Sequence, residues 1–74
     1  MKREIEEAAV VACIELISST VGEANAMATA ARHCAEAGQS EHAFRIALDL
    51  EPLLDEANSL LQAAAVIRRQ IDPP

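Results

Sequence analysis

Apolar residues recur along this chain at alternating spacings of three and four, and the phase is kept across most of its length. That periodicity restricts the chain to long helices packed along a seam. In the first half the track reads Val10, Ile14, Ile17, Val21, Ala24, Ala28, Ala31, Ala35. In the second it reads Ala43, Ile46, Leu50, Leu53, Ala57, Leu60, Ala64, Ile67, Ile71. Ala, Leu, Glu and Arg dominate and Gly and Pro are sparse, which disfavours strands.

Each track crosses one weak point. Thr20 and Glu23 in "SSTVGE" have the spacing of a capping box, and Gly22 adds a hinge. A chain reversal there would leave no reason for one register to hold on both sides. The stretch therefore predicts a weakened turn of one helix, with Gly22 costing about 1 kcal/mol relative to Ala. Pro52 removes a ladder hydrogen bond and predicts a kink or break near Asp49 to Pro52, with Asp49 able to cap the restarted segment. Between the tracks, "AGQS" supplies Gly38 for a left-handed helix end, and Ser40 with Glu41 for a helix start. The segment "FRIALDLEP", Phe44 to Pro52, resembles the closing part of a tetratricopeptide repeat. It covers nine residues, occurs once, and follows Gly38 about three residues too soon for that repeat. It strengthens the break at Pro52 and assigns no family.

The predicted fold is all-α: one domain over 1–74, an antiparallel hairpin of helices at about 2–37 and 41–71, open to kinks at Gly22 and Pro52. The alternative is a monomeric three-helix bundle of 2–18, 21–37 and 41–71. Folding the tracks about Gly38 pairs residues whose numbers sum to about 78, as heptad packing requires. Ala35 then meets Ala43, Ala28 meets Leu50, Ala24 meets Leu53, Val21 meets Ala57, Ile14 meets Ala64 and Val10 meets Ile67. Pro52 falls opposite Ala26, near Gly22, so both helices are expected to bend together. Arg68 and Arg69 suit the negative end of the last helix, and "DPP", Asp72 to Pro74, stops it.

A hairpin has one internal seam, yet further apolar residues flank both tracks. On the first helix they are Cys13, Leu16, Met27, Ala30 and Cys34; on the second, Phe44, Ala47, Leu48, Leu54, Leu61 and Ala65. A chain this short buries only about 60% of its unfolded surface. Pairing two hairpins into a four-helix bundle would cover the surplus, which predicts a homodimer.

Twelve acids against six bases give a net charge of -6, and Phe44 is the single aromatic residue. Neither suits nucleic-acid binding. With 51% apolar residues in a regular pattern the chain is not disordered. No apolar run approaches the roughly 18 residues of a membrane span, "MKREIEE" does not read as a signal peptide, and two cysteines do not make a disulfide scaffold. A cytoplasmic protein is the expectation.

Reactive side chains concentrate at "RHCAE", Arg32 to Glu36, with Glu41 and His42 across the turn. His33, Glu36, Glu41 and His42 could approach one metal ion, but the order reverses that of diiron bundles and the place is solvated, so surface histidines are expected there. His33 and Cys34 diverge by about 100° on a helix and form no nucleophile pair. Carboxylate pairs such as Glu6 with Glu7 and Asp55 with Glu56 are consecutive and do not oppose each other across a cleft. Two glycines cannot build a phosphate loop. The expectation is a non-enzymatic protein-binding module without cofactor or metal, serving as a regulator, adaptor or secretion-type chaperone. Leu16, Met27, Phe44, Leu48, Leu54 and Leu61 are its predicted partner or dimer anchors, and an acidic rim of Glu15, Glu23, Asp55 and Glu56 favours a basic protein. The alternative is an acidic mimic of nucleic acid that inhibits a basic protein.

Overall fold

One left-handed glycine turns the chain back on itself. The computed structural model describes residues 2–71, and in it Gly38 adopts φ 84°. The preceding helix, α1, spans Lys2–Glu36. Its end is closed by two bonds that run backwards: the Gln39 amide donates to the Cys34 carbonyl at 2.8 Å, and the Gly38 amide to the Ala35 carbonyl at 3.1 Å. This pair is a Schellman motif, which satisfies carbonyls that a helix end would otherwise leave unpaired. Helix α2, Ser40–Leu48, starts at once, with Gln39 rather than Ser40 in the cap position. The Gln39 side chain makes no capping bond, but its carbonyl accepts the Ala43 amide at 2.9 Å.

Helix α3, Glu51–Ile71, continues the line of α2 after a tightened turn. The Asp49 amide is shared between the Arg45 and Ile46 carbonyls at 3.3 and 3.1 Å, and the Leu50 amide bonds Ala47 at 3.1 Å. Pro52 has no amide hydrogen and its ring crowds the carbonyl four residues back, so the ladder shortens its loops just before it. Asp49 thus closes α2 instead of opening α3. The break expected at Pro52 is present, but it is not shared across the hairpin. The ladder of α1 is continuous through Gly22, where a propagating helix tolerates one glycine flanked by good formers. Nor does the chain reverse at Thr20, as a three-helix bundle would need. The predicted stop at Asp72 to Pro74 lies outside the described residues, as does the side chain of Ile71.

Together α2 and α3 form one arm that packs along α1, an antiparallel hairpin measuring 55 × 16 × 15 Å. A helix of 35 residues is roughly 52 Å long, so α1 alone sets the length. The radius of gyration is 16.8 Å, against about 11 Å for a compact chain of this size. Among the described residues no large apolar side chain is fully buried, and the residues most withdrawn from solvent are Thr20, Ala24, Ala43 and Ala64. A rod two helices wide has no interior, only a line of contact.

Gly38 and Gly22 should respond to alanine in opposite ways. Gly38→Ala forces a side chain into the left-handed region and is expected to lose about 1–2 kcal/mol. At Gly22 an added Cβ meets nothing within 4 Å, so Gly22→Ala is expected to gain about 0.5–1 kcal/mol. Urea unfolding at one fixed protein concentration reads both.

Candidate interaction face

On the second arm the half-buried and buried positions are Ala43, Ile46, Leu50, Leu53, Ala57, Leu60, Ala64 and Ile67. This is the seam the spacing predicts. On α1 half of the predicted seam is replaced. Val10, Ile17, Ala24 and Ala31 face the partner arm, but they are completed by Cys13, Thr20, Met27 and Cys34, while Ile14, Val21, Ala28 and Ala35 are exposed. The apolar stripe of α1 is two columns wide on that side. Periodicity does not choose between residues three and four beyond a shared column, whereas the exit direction fixed at Gly38 does. Thr20, missed as a core residue, enters the seam by this rotation. Among the described residues no buried side-chain nitrogen or oxygen lacks a hydrogen-bond partner.

The displaced column does not stand alone. Near the turn, Ala28, Ala31 and Ala35 of α1 line one open hollow of about 460 Å³ together with Ala43, Phe44 and Ala47 of α2. Leu50 and Ala28 border it together, as the predicted register requires. Burial repeats every seven residues along both arms, so each flanking column stays beside the seam as the helices wind about each other. Stepping by sevens from Ala28 gives Val21 and Ile14, and from Ala47 gives Leu54 and Leu61. One side of the hairpin thus presents a continuous apolar face. Its large members, Ile14, Val21, Phe44, Leu54 and Leu61, are between 48% and 63% exposed.

The residues expected to anchor a partner divide on this frame. Phe44, Leu54 and Leu61 lie on the face. Leu16 and Leu48 are exposed but project elsewhere, Leu16 on the opposite flank of the seam and Leu48 on the outer side of α2. Met27 is half-buried inside the hairpin. Glu15, Glu23, Asp55 and Glu56 do not rim the face either: Glu23 and Glu56 occupy the opposite flank, and Glu15 and Asp55 point outward. The flanking positions on α1 are Val11, Ser18, Asn25 and Arg32, so the rim there carries no acid between Val11 and Arg32.

At the turn, Glu36 pairs with Arg32 at 3.9 Å, both largely exposed. Among the described residues no three of His, Cys, Asp or Glu come together to hold a metal ion. Cys13 and Cys34 are free and half-buried, roughly 31 Å apart along α1, far beyond disulfide reach. No helix among the described residues is long and apolar enough to cross a membrane. No family model matches the chain, and no curated protein or solved structure matches it.

Because Met27 lies in the seam and Leu16 outside it, Met27→Asp should destabilise the fold by about 1–3 kcal/mol, while Leu16→Asp leaves it nearly unchanged. Thermal unfolding followed by circular dichroism checks the pair.

Proposed function

We propose that this chain is a non-enzymatic protein-binding module of the cytoplasm that works as a homodimer, its apolar face covered by another copy and its acidic surface left free for a basic protein. The observation that carries the reading is one of area. A folded monomer of 7.9 kDa exposes roughly 4,400 Å² by the usual scaling with mass, whereas this hairpin exposes 5523 Å². The excess, roughly 1,100 Å² by that scaling, is comparable with the ≈ 800 Å² that each partner brings to a standard interface. Exposed apolar patches of a few hundred Å² already mark interaction sites in monomers. Two hairpins laid face to face form a four-helix bundle and bury Ile14, Val21, Leu54 and Leu61 in a shared core.

Two free cysteines and no membrane-spanning helix among the described residues fit a reducing, aqueous compartment. A dimer carries twice the charge of -6, with most of its acids outside the contact. Such a surface attracts a basic partner at a rate that falls with salt. The partner's role as a target of regulation, an adaptor's client or a secreted protein under escort follows from its identity. A nucleic-acid mimic would show a much steeper salt dependence than an apolar groove.

Sedimentation equilibrium at micromolar concentration is expected to give the mass of two chains, with a melting temperature that rises with protein concentration. Phe44→Asp or Leu54→Asp should shift the population to monomer, and Leu48→Asp should not. A monomer of high helicity at every concentration would overturn the homodimer.

A further inference from the structure

The interaction face differs from one end to the other. Near the turn it is a hollow of about 460 Å³ lined mostly by alanines, Ala28, Ala31 and Ala35 on α1 with Ala43 and Ala47 on α2, and bordered by Phe44, Leu50 and Arg32. Away from the turn it bears the exposed side chains of Ile14 and Leu61, with Val21 and Leu54 between. We infer that the second copy lies inverted on this face, so that Ile14 and Leu61 of each chain fill the alanine hollow of the other. The inference rests on the homodimer reading above and specifies its geometry.

The register fixes where the symmetry axis falls. Ala28 stands level with Leu50 and Ala35 with Ala43, so Leu61 stands about three residues from the height of Ile14, and Leu54 about three from Val21. Midway between the hollow and the Ile14–Leu61 pair lies the height of Val21 and Leu54. A two-fold axis crossing the face there sets α1 against the partner's α1, and the α2–α3 arm against its counterpart. Ile14 then enters between the partner's Ala28 and Ala35, and Leu61 sits over the partner's Ala47. Val21 and Leu54 meet their own copies near the axis. Such an isologous contact closes on itself and stops at two chains.

The other face-to-face arrangement, with both turns at one end, stacks hollow on hollow and large residue on large residue. It leaves a void at one end and overpacks the other, and both are unfavourable. The inverted arrangement sets large against small at both ends of the contact, as close packing requires, and leaves Val21 and Leu54 to meet their own copies only in the middle. Charge permits a copy as the occupant: from Ile14 to Arg32 the α1 side of the face carries no acid, and along the second arm Glu51, in the column of Phe44, is the one acid that borders it, so two chains of net charge -6 can approach there.

Two measurements on the full chain test the geometry. Nitroxide labels at Gln39→Cys, in a Cys13→Ala/Cys34→Ala background, should lie roughly 45 Å apart in the dimer by the helical rise; turns at one end would bring them within about 25 Å, two helix diameters. In sedimentation, Ala47→Leu should weaken the dimer at least tenfold, and adding Leu61→Ala should restore it, because those side chains oppose each other. A dimer with the short label distance, or one in which Leu61→Ala only weakens association further, overturns the inverted arrangement and leaves the homodimer standing. An unsubstituted chain that stays monomeric at every concentration removes both.

Discussion

The contact between the two arms is lined by small residues, and most other properties of the hairpin descend from that. Three alanines and a threonine are the residues most withdrawn from water. Alanine removes little apolar area per residue, and the driving force of folding scales with that area. The larger seam residues, Ile17, Ile46, Leu50, Leu53, Leu60 and Ile67, remain half-exposed because two cylinders touching along a line cannot enclose a side chain. A hairpin of this composition holds its helices in register without enclosing a core. Its thinness and its leftover apolar column are one fact seen from two sides.

Much of this was legible in the residue order. The seven-residue track of the second arm is the structural seam from Ala43 to Ile67, and the turn falls where Gly38 permits a left-handed backbone. The break near Pro52 follows from its missing donor. Helix α1 was readable only in part. Val10, Ile17, Ala24 and Ala31 belong to both candidate tracks, but whether the residue three or four farther on completes the seam depends on rotation about the helix axis. The turn imposes that rotation, and no single-helix pattern contains it. Met27 was taken for an anchor, and Val21 for a core residue, for this one reason. The helix is interrupted before Pro52 and not at Gly22 because the two breakers differ in kind. Glycine weakens a helix that its neighbours still propagate, whereas proline deletes a donor that nothing replaces.

The chemistry of the surface points the same way as its shape. The ion pairs, Lys2 with Glu6, Arg3 with Glu7 and Arg32 with Glu36, are one-turn contacts at 3.7–4.0 Å. Exposed pairs of that length add little to stability. Their order, base before acid, is the less favourable one on a helix. What the chain offers instead is a continuous apolar column along one side of a rod about as long as α1, with most of its acids on the other surfaces.

The Gly38 turn also sets an order of events. Ala35 and Ala43 are brought together by closing a loop of a few residues, while Val10 can meet Ile67 only across most of the chain. Loop entropy rises with the logarithm of loop length, so each pair forms most cheaply once the pair nearer the turn is made. The arms close like a zipper from its fixed end, a topology of local steps that favours rapid folding. The position of one left-handed residue therefore sets which contacts cost the least chain entropy to close, and makes those joining the first turns of α1 to the last of α3 the most expensive.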